Sequence, residues 1–137
     1  MRYSDTMIRL INWYRVDNSL PTLTPNESLM NAARKQSDYM YKISTLTHTG
    51  KDNSHISDRA VSAGYPYIEI AENIAFASIK PMDVLGLWIR SQPHKEILLN
   101  PAHRDIGIGL TPEHGNPKDG DVQYYWTAVL GCPLTAS

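Results

Sequence analysis

Two segments in the last third of the chain have the composition of paired β-strands. Ile106, Ile108 and Leu110 alternate with glycines, and residues 124–130 form a dense run of aromatic and β-branched side chains. A period of two and β-branched enrichment are typical of strands. The connection over residues 111–121 is rich in Pro, Gly and Asp, which favours a long hairpin loop. The sequence therefore predicts an antiparallel strand pair near the C-terminus.

The segments before this pair have mainly helical periodicity, interrupted by one apolar stretch with carboxylates set into it. Apolar spacing and cap residues mark their limits. Five helices are predicted: one ends before Pro21, one runs from a Thr24 cap to about Lys42, and the others lie over 53–63, over 81–90 and from about 93. A mainly buried strand is predicted over 67–77. Helices clustered before and between a few strands favour an α+β domain, with helices covering a small sheet, over a doubly wound sheet.

Length and cysteine count limit how such a fold is held together. A chain of 137 residues predicts one domain over 1–137, and it buries roughly two-thirds of its unfolded surface without cross-links. The single cysteine, Cys132, closes no internal disulfide and provides no cysteine-based zinc site. We expect it to pack as a small hydrophobic residue. The core alone must stabilise the fold.

Charge and hydropathy weigh against two classes of partner. Thirteen Lys and Arg balance fourteen Asp and Glu, for a net charge of −1 without charged blocks. A nucleic acid or an anionic membrane would meet no basic footprint, so we expect no nucleic-acid binding. No apolar run reaches the roughly 18 residues of a spanning helix, and the first residues lack a signal-peptide core.

Three polar residues are the strongest candidates for chemistry: His48 beside a glycine turn, Glu72 within the predicted buried strand, and His94 near a predicted helix start. A buried carboxylate costs several kcal/mol unless it is paired, so Glu72 needs a partner. Two imidazoles and a carboxylate can form a general acid–base site or an open metal site. They can equally satisfy one another around an ordered water, as a purely structural polar cluster.

Other routes to function find less support. The chain has no His-Glu-x-x-His segment, nucleophile elbow, Walker A loop or dinucleotide fingerprint. Cys132 at the end of an apolar run is better explained by packing than by thiol catalysis. The remaining histidines, His55, His103 and His114, are interpreted as surface or turn residues.

Short motifs along nearly the whole chain together form a recognisable series. They are 11–15, Leu20-Pro21, 29–33, His48-Thr49-Gly50, Asp58-Arg59, 63–65, 71–75, Trp88 with 91–100, 106–109 and 125–127. No single motif is decisive, but their common order is specific. In this order they resemble the CAP superfamily, also called SCP-like (cysteine-rich secretory protein, antigen 5 and pathogenesis-related 1), in its short bacterial form.

The resemblance implies a three-layer α-β-α sandwich with a small antiparallel sheet between helices and an open cleft. By motif match, His48, Glu72 and His94 are the cleft residues. The second acidic position of eukaryotic members falls near Asp52, which is a displaced substitute. The low cysteine count fits a bacterial-type member.

Several functions are compatible with this resemblance. The favoured one is a monomeric, secreted binding module whose cleft takes a divalent metal, a lipid- or sterol-like molecule or a protein partner. Any zinc held by His48 and His94 would be exchangeable, because two imidazoles are a weak ligand set. The alternative is a zinc-dependent hydrolase or peptidase, with Glu72 as general base. Export is implied by the resemblance alone, so either Met1 follows a removed leader or this member is atypical.

Overall fold

The computed structural model describes residues 2–113 and 123–134. Helices and strands follow the chain in the order helix, strand, helix, helix, strand, helix, helix, strand, strand. They are α1 (Tyr3–Asp17), β1 (Thr24–Pro25), α2 (Glu27–Ile43), α3 (Ile56–Ser62), β2 (Tyr67–Ala77), α4 (Pro81–Ile89), α5 (Gln92–Leu98), β3 (Asp105–Thr111) and β4 (Tyr124–Pro133), with a single 3₁₀ turn at Lys51–Asn53.

The sheet has the strand order β1-β3-β4-β2. Strand β4 pairs antiparallel with β3 and with β2, as predicted for the C-terminal pair, and the two-residue β1 adds in parallel to β3. Helices α1, α4 and α5 supply the large core cluster on one face. Helices α2 and α3 pack with β4 on the other. The predicted α+β class and three-layer α-β-α arrangement are confirmed.

The alternation in β3 separates two different kinds of packing. Ile106 and Ile108 point into the main core cluster, where they are almost fully buried. Gly107 and Gly109 face α2, and a β-carbon at Gly107 would lie 2.2 Å from the carbonyl carbon of Leu29. The backbone of α2 therefore lies directly on β3, which is possible only where β3 has no side chains.

Strand β2 is eleven residues long and lies at the edge of the sheet. Helices α3, α4 and α5 all contact it. The indole Nε1 of Trp88 in α4 donates to the backbone oxygen of Ile74 at 3.0 Å. One carbonyl of the edge strand is thereby satisfied by a buried side chain.

Two predicted helix starts are wrong. The cap of α2 is Asn26, whose side chain accepts from the backbone nitrogen of Leu29 at 3.0 Å. Thr24 is instead extended, because its nitrogen donates to Arg104 in the pairing of β1. Helix α3 begins at Ile56 rather than residue 53, since residues 51–53 form a turn with left-handed backbone at its last two positions.

The remaining histidines and the cysteine have mixed outcomes. His55 is exposed at the start of α3, in agreement with its assignment to the surface. His103 was expected at the surface or in a turn, but it is 2% exposed. His103 lies in the connection between α5 and β3, where the charge of the buried Arg15 of α1 acts on it, so tertiary packing encloses a residue that the local sequence assigns to a turn. Cys132 is a half-buried free thiol, and His114 lies outside the described residues.

We expect Gly107→Ala to destabilise the fold by about 3 kcal/mol or more, because its β-carbon would overlap the backbone of α2. Gly86→Ala is the matched control. Its β-carbon would meet only the flexible end of Arg90, at 3.0 Å, and alanine favours the helix by about 1 kcal/mol. Urea unfolding of the two variants measures the difference. Equal stability would contradict the close packing of α2 on β3.

We expect the fold to lose stability as the pH falls from about 6.5 to about 4, in part because of His103. Burial, and then the charge of Arg15, lower the pKa of His103 from 6.5 to about 4. Over that range the unfolded chain binds a proton that the native imidazole does not, which is worth about 3 kcal/mol. Urea unfolding at pH 7.5 and pH 4.5 should show a smaller loss in His103→Gln than in the parent. The same loss in both would contradict a neutral buried imidazole.

Candidate functional site

Glu72 occupies a buried position on the edge strand β2. The residue faces the side of the sheet covered by α2 and α3, opposite Val129 of β4, and its side chain is 1% exposed. Both of its carboxylate oxygens have partners. The expectation that a buried Glu72 requires partners is confirmed.

Arg59 of α3 supplies the buried positive charge. Its Nη2 donates to Glu72 Oε2 at 2.7 Å and to the backbone oxygen of His48 at 3.1 Å. Its Nη1 donates to the backbone oxygen of Ser54 at 2.8 Å. A single guanidinium thus neutralises the carboxylate and fixes the segment that carries His48.

His48 completes this network at the surface. Its Nδ1 lies 2.9 Å from Glu72 Oε1, and a carboxylate oxygen accepts, so the proton belongs on Nδ1. The lone pair of Nε2 is then free, on a side chain that is 59% exposed. Gln36, fully buried in α2, donates to the backbone oxygen of Thr47 at 2.7 Å. The imidazole is therefore held in one orientation by residues of α2, α3 and β2.

His94, in the first turn of α5, is anchored to Asn73, the residue next to Glu72 in the middle of β2. Its Nδ1 shares a 2.8 Å hydrogen bond with Ser91 Oγ, and its backbone oxygen accepts from Asn73 Nδ2 at 3.1 Å. Desolvation, and then the charge of His48, lower the pKa of His94. His94 therefore favours its neutral form.

The donor set available to a metal is narrow. Within residues 2–113 and 123–134, no three His, Cys, Asp or Glu side chains form a group that could hold a metal ion. Glu72 uses its oxygens on Arg59 and His48, and Asp52 is exposed on the 51–53 turn. What remains is the imidazoles of His48 and His94, which are fewer protein ligands than a catalytic or structural zinc site ordinarily has.

Sequence reasoning missed two residues of the network. Arg59 appears there only as part of the Asp58-Arg59 motif, and Gln36 is not among the candidate residues. The demand of a buried Glu72 for a cation was a usable signal. It did not identify which arginine or lysine would pair with Glu72, because Arg59 is thirteen residues away on another element.

Comparisons with known proteins bear on the family. The model of the cysteine-rich secretory protein family, CAP, matches residues 8–130. The YkwD protein of Bacillus subtilis (strain 168) is 30% identical over 107 residues, which are 78% of this chain and 42% of that protein. The membrane protein YlbC of the same strain is 24% identical over 104 residues, 76% of this chain and 30% of that protein. The chain thus spans less than half the length of these relatives.

Two solved structures have the same fold as this chain. An extracellular protein containing an SCP domain, from Bacillus anthracis, superposes with a TM-score of 0.83 at 20% identity, over 95% of this chain and 40% of that one. An outer surface protein from Borrelia burgdorferi gives 0.82 at 20% identity, over 96% and 92%. In the part of the chain that the structure describes, no helix is long and apolar enough to cross a membrane. With a family match that runs from residue 8 to residue 130, the chain belongs to the cysteine-rich secretory protein (CAP) family.

Proposed function

We propose that this chain is a binding module whose cleft, the surface around His48 and His94 with Glu72 buried beneath His48, takes a divalent cation and through it a small ligand or a partner. The observation that carries the proposal is the His48–Glu72–Arg59 network. Orienting an imidazole through its second nitrogen by a buried carboxylate is what metal sites in proteins do for a histidine ligand. A structural cluster has no need to leave the other ring nitrogen exposed.

Zinc is the cation that this donor set suits best. His48 and His94 would hold it through imidazole nitrogen, and the bound ion would supply an electrophilic centre for an anionic or carbonyl group of the ligand. The affinity should be modest, because only two protein ligands contribute. Such an ion is exchangeable.

Binding is favoured over turnover by the state of Glu72. A general base must be free to take a proton from water, but the two Glu72 oxygens already accept from His48 and Arg59. The lowered pKa of His94 keeps its imidazole neutral and able to bind a metal, which serves binding and the hydrolase alternative equally. In the hydrolase alternative, Glu72 would first have to give up one of these two hydrogen bonds.

We also propose that the module acts outside the cell. Two proteins with the same fold are described as extracellular and as an outer surface protein. A fold without disulfides, such as this one with its single free thiol, suits a cell type that rarely uses them. Fractionation of cells that express the full gene would test the location.

Zinc titration by calorimetry tests the site. We expect a saturable heat for the parent, and its loss in His48→Ala and in His94→Ala. His55→Ala removes another exposed histidine, at the start of α3, and should bind zinc like the parent. Equal heats in all four proteins would rule out a shared imidazole site. Cleavage of a peptide or ester library that stops with a chelator would support the hydrolase alternative instead.

The ion pair between Arg59 and Glu72, which supports His48, should contribute measurably to the free energy of unfolding. We expect Arg59→Met to cost about 3–5 kcal/mol, because it leaves the Glu72 carboxylate buried and unpaired. The double variant Arg59→Met/Glu72→Gln removes that stranded charge and should recover part of the loss. Urea unfolding of the single and double variants measures the coupling. A double variant as unstable as the sum of the two single variants would contradict a direct interaction.

A further inference from the structure

A second candidate binding surface lies beyond the cleft, on the same face of the sheet. A groove of about 720 Å³ runs between the C-terminal end of α2 and the facing ends of β2 and β4. Its described lining includes Tyr41, Leu46, Phe76 and Tyr125, with Lys42 at the rim. This surface is called the aromatic groove below.

The aromatic rings of Tyr41, Phe76 and Tyr125 pack against one another in the groove. Phe76 and Tyr125 are paired across β2 and β4, with ring centroids 4.7 Å apart and planes at 33°. Tyr41 meets Tyr125 edge-on at 6.4 Å. Tyr125 is buried, whereas Phe76 is 41% exposed and Tyr41 is 51% exposed. Two large rings held at fixed angles but left half in water are typical of a binding surface.

The aromatic groove is connected to the cleft through two elements. Along β2, Glu72, Ile74 and Phe76 share one face of the sheet, so Phe76 lies about 13 Å from Glu72 at ~3.3 Å per residue. The chain that leaves α2 contributes Leu46 to the groove and, two residues later, His48 to the cleft. A ligand lying along β2 could therefore reach from one to the other.

We propose that the aromatic groove binds an acidic oligosaccharide. A pyranose ring offers a flat C–H face that stacks on an aromatic ring, and hydroxyls around its edge that need donors and acceptors. The groove supplies both, since the ring of Tyr41 and the hydroxyl of Ser44 line it. The inference goes beyond the proposed function, because stacking here requires neither imidazole.

The charge of the lining selects an acidic sugar. Lys42 carries the charge among the described lining residues. An ammonium at the rim complements a sugar carboxylate and disfavours a cationic ligand. An acyl chain fits less well, because apolar ligands take sites that bury most of their surface, and here the rings stay half exposed.

Titration with defined oligosaccharides tests the proposal. The probes are a tetramer of galacturonic acid and a neutral chitotetraose, each added to labelled parent protein and followed by amide shifts in NMR. We expect saturable shifts centred on residues 41–46 and 76, and tighter binding of the acidic tetramer. Phe76→Ala and Tyr41→Ala should each weaken it about tenfold, and Lys42→Ala should abolish the preference for the acidic probe.

Two controls separate this result from other causes. Trp13→Ala removes an equally exposed ring from α1 and should bind like the parent. His48→Ala should keep oligosaccharide binding, so the groove and the zinc site can succeed or fail independently. The proposal is overturned if neither probe gives saturable shifts up to its solubility limit, or if Phe76→Ala and Tyr41→Ala bind both probes unchanged. Saturable shifts with decanoate or an acidic peptide alone would also overturn it.

Discussion

Most of the molecule is positioned by the contact between the backbone of α2 and the glycine face of β3. Because Gly107 and Gly109 have no side chains, α2 lies at backbone distance from the sheet along its N-terminal half. The same helix then carries Gln36, whose amide holds the chain before His48, and Ser37, whose hydroxyl lies 2.8 Å from that of Thr127 in β4. The helix that organises the fold therefore also fixes one side of the cleft.

The position of His48 in the cleft depends on the buried ion pair between Glu72 and Arg59. Burying Glu72 and Arg59 together is costly, and a well-packed apolar pair would stabilise the fold at least as well. What the ion pair provides is orientation: one guanidinium contacts the carboxylate, the backbone of His48 and the chain at Ser54. An exposed imidazole is thus held in place by atoms that solvent does not reach.

The residues show how far sequence reasoning extends and where it fails. Local patterns were sufficient for the three long strands and most helices, and the cost of a lone buried carboxylate correctly predicted that Glu72 is paired. Thr24 was mistaken for a helix cap because its role depends on pairing with Asp105 of β3, far along the chain. Arg59 and His103 were misjudged for the same reason, since charge and polarity alone do not indicate which residues the tertiary structure encloses.

The indole of Trp88 has a consequence for how copies of this protein behave towards each other. An edge strand of eleven residues with free backbone groups is a template on which a second chain can add by main-chain hydrogen bonds. Here α4 contacts β2, and its indole donates to the oxygen of Ile74 near the middle of the strand. The core side chain of Trp88 thus also makes one acceptor of the edge strand unavailable for intermolecular strand addition.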